Sequence, residues 1–390
     1  MLSLERAMTS TNPLLSGIRI LDLTRLLPGP FCTLYLAQMG ADVIKVEEPQ
    51  GGDYARSLAP ELFALVNRGK KSVALDLRRP EAVAIFKKMA EGADVVIESF
   101  RPGVMDRLGC GYAELSAVNP RLVYAALTGY GQTGPYKDRA GHDMNYCGYA
   151  GVLDQTGVSG GAPALSNVQM ADLAGGALTC ALGILAAVIG AKASSTGTLV
   201  EVSMLDGTLA LQVMALATVR TLGHAHARGN DMLTGGLPNY SVYACADGKN
   251  VAMAALEPKF FLEFCRVVNR PDLARMPLAP GEGGAALRAE LSALFMTKSR
   301  DEWESMLGDE DCCVSAIYTP EEALGNAQVR ARGMVETSAG KPALGMPIHF
   351  SCASVTGGES PALGADTRAV LRAAGVSEAE FAALSAARAI

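Results

Sequence analysis

The chain has one tryptophan and four histidines in 390 residues, and only 19% of its side chains are charged, below the usual quarter. Its nine cysteines include no C-x-x-C pair, and their number is odd. Secreted disulfide frameworks and zinc ribbons are patterned differently, so free buried thiols in a reducing, cytoplasmic setting are expected. There is no Walker sequence, and no G-x-G-x-x-G follows a strand-like run. Gly157-Val158-Ser159-Gly160-Gly161 spells G-x-S-x-G. It lacks the preceding strand and following helix that a nucleophile elbow requires, and reads as a flexible turn. His224 and His226 have no cysteine or carboxylate cluster beside them, so no metal is expected. The basic excess of a dedicated nucleic-acid binder is also missing, since Lys+Arg number 34 against 40 Asp+Glu, a net charge of −6. An anionic ligand therefore requires a local basic pocket.

Two segments bear on targeting. Residues 1–13 contain Glu5 and no long apolar core, unlike a secretory signal, and the final Arg388-Ala389-Ile390 is not a peroxisomal tripeptide. Residues 173–191 carry no charge and are long enough to span a bilayer. They are rich in Ala and Gly rather than Leu and Phe, begin beside Asp172, and lack a flanking basic cluster. A buried central helix is expected rather than a membrane span.

What is abundant is apolar: 49% of residues, with 42 glycines. Short apolar runs at 18–22, 42–46, 72–76, 93–99, 122–127 and 198–203 read as strands. Helical patterns at 31–39 and 80–90 lie between them, the second opened by Pro80 and stopped by Gly92. This alternation predicts βαβ units, a mainly parallel sheet, and ligands at the carboxyl ends of its strands. Residues 205–222 read as one helix. Residues 240–251 read as a hairpin around Asp247-Gly248, followed by helices at 258–268 and 285–306. From 334 onward the pattern is loop-like until a last helix at 377–387. The fold class is thus α/β, with a large Rossmann-like parallel-sheet domain at 1–205 and a linker helix at 206–224. A smaller α+β domain follows at 225–330, then a C-terminal return at 331–390.

Any imidazole chemistry must use His142, His224, His226 or His349. His142 follows the strand at 122–127 and its Gly-rich loop, which places it at the carboxyl end of the sheet. Asp172 opens the apolar helix, where a carboxylate can cap orphan amides. Glu257 follows an apolar run and precedes Pro258, a first-turn position that the helix dipole favours.

Several longer stretches match in order. Residues 27–47 open Leu27-Pro28-Gly29-Pro30 and close Val43-Ile44-Lys45-Val46-Glu47, and they are joined by 67–77, 100–109 and 127–135. Together they resemble the family III CoA transferases over nearly the whole chain. Gly141-His142-Asp143-Met144-Asn145-Tyr146, Ala171-Asp172-Leu173-Ala174-Gly175-Gly176, Leu256-Glu257-Pro258-Lys259-Phe260 and 228–236 resemble the α-methylacyl-CoA racemase branch. Two positions depart from that branch. Val46-Glu47-Glu48-Pro49 reads as in many transferases where racemases carry Arg, and Thr234 stands where racemases usually have Asp.

The resemblance implies an interlocked homodimer acting on an acyl-CoA thioester, with no further cofactor and with neither nucleic acid nor membrane as partner. It implies His142 and Asp172 as two opposed bases at the α-carbon of a 2-methylacyl-CoA, with Glu257 orienting the histidine. The Asp143 backbone N–H would meet the enolate oxygen, and Tyr146 would lie in the substrate site. The phosphates of CoA call for cations, for which Arg101, Arg107, Lys45, Arg68 and Lys71 are the candidates, Arg101 and Arg107 first. Inversion needs a proton removed from one face of a planar enolate and one returned to the other, so the two groups must start in complementary proton states. The alternative is a CoA transferase, in which Asp172 attacks the thioester and carries CoA as an aspartyl thioester. A third reading is a catalytically silent acyl-CoA binder.

Overall fold

In the computed structural model, which describes residues 14–351 and 357–390, the short apolar runs form one six-stranded parallel sheet. Its strands are β1 (Arg19–Asp22), β2 (Asp42–Glu47), β3 (Lys71–Ala74), β4 (Val95–Glu98), β5 (Val123–Thr128) and β6 (Thr198–Ser203). The order is β3-β2-β1-β4-β5-β6. β4 and β5 are buried at every position, whereas edge strand β6 is buried only at Val202 and Ser203. A central parallel strand is covered on both faces and so reads as a continuous apolar run rather than an alternation. The order reverses direction between β1 and β4, and the loops leaving those strands diverge to open a crevice at their carboxyl ends.

The chain separates into two compact units. The larger comprises 1–150, 167–211 and 331–390, and the smaller 151–166 and 212–330. Residues 151–166, which the sequence reading places in the large domain, are grouped with the smaller unit. The single helix expected over 205–222 is two helices, Met204–Ala210 and Val213–Leu222, and Gln212 between them leaves the helical conformation at ψ 36°. The unit boundary falls at this break.

The apolar segment forms a π-helical stretch, Ala171–Leu178, running into the α-helix Thr179–Ser194. The expectation of a buried helix needs correction. One face is buried through Gly175, Gly176, Cys180 and Ile184, while Leu182 and Ile189 are about 70% exposed. Among the described residues this is the one helix long and apolar enough to cross a membrane. Its glycines have a packing reason: a Cβ on Gly207 of the helix Met204–Ala210 would stand 1.9 Å from the Gly175 carbonyl oxygen. The two backbones meet without side chains between them.

Helix starts follow proline. The helix predicted from 31 begins at Pro28, and another spans Pro80–Glu91, each with proline in its first turn, where a missing N–H costs nothing. The smaller unit contains the antiparallel sheet β7 (Tyr240–Ala244), β8 (Asn250–Ala254) and β9 (Val314–Ala316). This sheet packs in an aromatic core of Tyr243, Phe261, Phe264, Phe295 and Trp303. The lone tryptophan is buried and donates its indole N–H to the Phe295 carbonyl at 2.8 Å. The helix expected over 285–306 is two, Ala285–Phe295 and Arg300–Leu307, the second started by a capping box between Ser299 and Glu302. The stretch after 334 is more ordered than its composition suggests. It contains a hairpin of β10 (Val335–Ser338) and β11 (Lys341–Leu344) and the helices Thr367–Ala373 and Glu378–Ala386. Leu371, Val376 and Leu384 join the core of the parallel sheet. The reading of residues 1–13 and Cys352 lie outside the described residues; the other eight cysteines are free thiols, all buried except Cys313.

Candidate active site

A cleft of about 660 Å³ opens at the strand reversal. Its walls come from the loops after β1 (Arg25, Leu26, Pro28), β4 (Ser99, Phe100, Arg101) and β5 (Gly129, Tyr130), and His142 and Asp172 both line it.

His142 is the N-cap of the helix Asp143–Tyr149, in extended conformation. Its backbone N–H donates to Asn145 Oδ1 at 3.0 Å. The Tyr146 ring is buried beneath this turn and its hydroxyl donates to the Gly141 carbonyl at 2.6 Å. Glycine is needed on both sides of the ring system. A Cβ on Gly129 would stand 2.5 Å from the Tyr146 hydroxyl, and one on Gly141 would stand 2.7 Å from that of Tyr130. The proton of the Tyr146 hydroxyl is thus committed to the Gly141 carbonyl, and the residue lines the cleft beside His142.

Asp172 is the second residue of the π-helical stretch. The amide cap of that segment is supplied by Asp143, whose Oδ1 accepts from the backbone N–H groups of Ala171 (2.6 Å) and Asp172 (3.0 Å). The Asp172 side chain is thereby released from capping and stands in the cleft wall. Burial, reinforced by the negative charge of Asp143, pushes its carboxyl up to about 7. Burial followed by the charge of Asp172 likewise raises the Tyr146 phenol.

Glu257 belongs to the smaller unit. It is the exposed N-cap of the helix Pro258–Val267, where its carbonyl accepts from the Phe260 amide at 3.1 Å.

The candidate cations divide sharply. Arg101 is exposed and lines the cleft. Arg107 is exposed one helical turn beyond Gly103, outside the cleft lining. Lys45 is fully buried, paired with Asp53 at 3.0 Å, and donates to the Thr24 carbonyl at 2.7 Å. Arg68 is 4% exposed, pairs with Glu336 at 3.1 Å and donates to the Leu344 carbonyl. Lys71 pairs with Asp42 at the amino ends of β2 and β3, opposite to the cleft. These three assignments are corrected: a cation sealed in an internal pair, or placed at the wrong end of a strand, is not offered to a phosphate in this cleft. Lys70 is likewise internal, paired with Asp22 and hydrogen-bonded to Thr33 and Asn67.

The reading of the sequence missed Arg25, Lys137 and Arg139, all in the cleft lining. Arg25 is bracketed by the rings of Tyr54 and Phe100, 5.0 and 4.9 Å from its guanidinium carbon. Its place just after β1 is the signal that could have found it, because the loop after the first strand borders the reversal. Its neighbour Leu26 adopts a left-handed φ of 64°. The Leu26 amide donates to the Asp53 carboxylate at 3.0 Å, so the Lys45–Asp53 pair holds this turn in place. Among the described residues no three His, Cys, Asp or Glu side chains group as metal ligands.

The sequence profile of CoA-transferase family III matches residues 15–367. The chain belongs to that family. It is 35% identical to the human alpha-methylacyl-CoA racemase over 332 residues, covering 83% of each chain. It is 34% identical to the acetyl-CoA:oxalate CoA-transferase of Acetobacter aceti over 361 residues, covering 88% of this chain and 92% of that one. The crystal structure of a CAIB/BAIF family protein from Brucella suis superposes with a TM-score of 0.82 at 29% identity, over 94% of this chain and all of that one. Family III thus includes racemases and transferases of similar identity to this chain, and what separates them must be sought in the cleft.

Proposed function

We propose that this protein is an acyl-CoA racemase that inverts the α-carbon of a 2-methylacyl-CoA by two-base proton transfer. One observation carries the reading. His142 and Asp172 share a cleft, and Asp172 sits where burial and a like charge favour its neutral form. Neutral imidazole removes the α-proton on one face, and the electron pair passes into the thioester carbonyl to give an enolate. The Asp172 carboxyl then returns a proton to the opposite face, and the enolate collapses to the other enantiomer. In the reverse direction the carboxylate is the base and the imidazolium the acid. The backbone N–H of Asp143, in the first helical turn and so without an intrahelical acceptor, is the donor assigned to the enolate oxygen. Glu257 is assigned to the far imidazole nitrogen, where it would fix the tautomer. Arg101 and Arg25 are assigned to CoA phosphates.

The transferase alternative has support in the similar identity of the Acetobacter enzyme. It asks Asp172 to act as a nucleophile and leaves His142 without a role in the covalent step. Proton NMR of a 2-methylacyl-CoA in D₂O, with and without an added carboxylic acid, separates the two. The racemase reading expects α-deuterium incorporation with the thioester alone and its loss in His142→Ala. Exchange that survives in His142→Ala overturns it. Turnover only with added acid, through an intermediate trapped by hydroxylamine, selects the transferase.

A further inference from the structure

The Asp143 side chain has no part in the proton transfers above, yet it joins the two segments that perform them. His142 immediately precedes it, and its Oδ1 receives both the Ala171 and the Asp172 amides. Its Oδ2 faces the Cys147 thiol at 3.7 Å. A carboxylate that accepts two amides at the start of a helical segment is well held, because charge-assisted hydrogen bonds are short and strong. Neither amide has an acceptor within its own first turn.

We propose that the Asp143 carboxylate is a positioning residue: by clamping the Ala171 and Asp172 amides it sets the Asp172 side chain in the same cleft wall as His142. The charge so held stands next to that side chain and favours its protonated form. This deepens the racemase reading and rests on it for the catalytic consequence. The clamp and the charge effect require only that Asp172 stands in the cleft.

Two features support a specific role over ordinary capping. First, a cap is usually supplied by the residue at the start of its own helix, whereas this one comes from 28 positions away in sequence. Asp172 is therefore freed from capping. Second, few other groups are in a position to act on Asp172. Tyr146, Cys147, Tyr149 and His142 are on or beside the same short helix, and Arg101 lines the same cleft. The remaining elements packed on the segment contribute Cys32 and Tyr35, Tyr124, Glu201, Asp206, and, from the helix that continues it, Cys180 and Lys192. Of all these, only Asp143 adds to burial in raising the Asp172 carboxyl.

The conservative variant separates clamp from charge. Asp143→Asn keeps an oxygen for the two amides and turns its NH₂ toward the Cys147 sulfur, but removes the charge. Asp143→Ala removes both. The readout is the titration of the Asp172 carboxyl, followed by infrared difference spectroscopy against Asp172→Asn, with no substrate present. Asp143→Asn is expected to melt close to wild type and to titrate lower by about one unit or more, the usual effect of removing a neighbouring like charge. The pH profile of α-deuterium exchange should move the same way. Asp143→Ala should melt lower than Asp143→Asn. An Asp172 titration unchanged in Asp143→Asn, or equal melting of the Ala and Asn variants, overturns the proposal. If wild type shows no exchange but the titration moves as expected, the racemase reading fails while the clamp stands.

Discussion

A proton held on Asp172 should cost the fold stability whenever the solution is basic enough to remove it. The carboxyl is at about 7 in the folded chain against an ordinary 3.8. Between those two values the folded state binds one more proton than the unfolded state at this site. Unfolding free energy therefore falls as pH rises across that window and levels off above about 7. About three pK units at about 1.4 kcal/mol each set a ceiling near 4 kcal/mol. The carboxyl lines an open cleft, and solvent screening reduces the expected value to about 2 kcal/mol. Asp172→Asn removes the titration while nearly preserving shape. It should match wild type near pH 4 and exceed it by about 2 kcal/mol at pH 8. Urea unfolding of both proteins at the two pH values measures this, and the other titrating groups cancel in the difference. A stability gap that is the same at both pH values refutes the argument, because a difference in packing alone carries no pH dependence.

Further outcomes follow from the division of the cations and from the glycine contact. Lys45→Met leaves Asp53 as an unpaired buried charge and should destabilise the chain by about 3–5 kcal/mol, seen as a lower melting temperature. Arg101→Ala and Arg25→Ala should leave melting nearly unchanged. Each should weaken CoA binding about tenfold, by loss of a charge-assisted hydrogen bond, and flatten the salt dependence of that binding in calorimetric titration. Gly207→Ala drives a methyl group into the Gly175 carbonyl. It should cost about 1–3 kcal/mol by overpacking and, by displacing the segment that carries Asp172, lower kcat for α-exchange more than it changes KM.

The sheet was legible because its central strands are covered on both faces and must read as unbroken apolar runs; β4 and β5 did so. The helix Thr367–Ala373 was not legible. Its seven residues include two arginines and form no long apolar stripe, and they are held by Leu371 packing on strands about 300 positions earlier in the chain. The break near Gln212 carries no glycine or proline to announce it. It coincides instead with the boundary between two units, a property of contacts rather than of local sequence.

The same distinction governs the site. His142 and Asp172 could be picked out from short motifs, one at a capped turn and the other at a helix start, but the cap that frees the Asp172 side chain comes from Asp143, 28 positions before Ala171, and no local pattern announces it. The cations could not, because a lysine's availability depends on its partner. Lys45 lies eight positions from Asp53, Arg68 lies 268 from Glu336, and Lys71 is neutralised by an aspartate on the neighbouring strand. Seen only as charges near strand ends, these residues are equivalent to Arg101. Burial and pairing separate them: an internal pair holds its cation in place and removes it from the pool that faces an anionic ligand. In an acidic chain, the cations proposed for the phosphates are residues such as Arg25, which lines the cleft and whose charge rests against aromatic rings rather than against a carboxylate. Ring faces hold a guanidinium in place without neutralising it, and that leaves its charge available to an incoming phosphate.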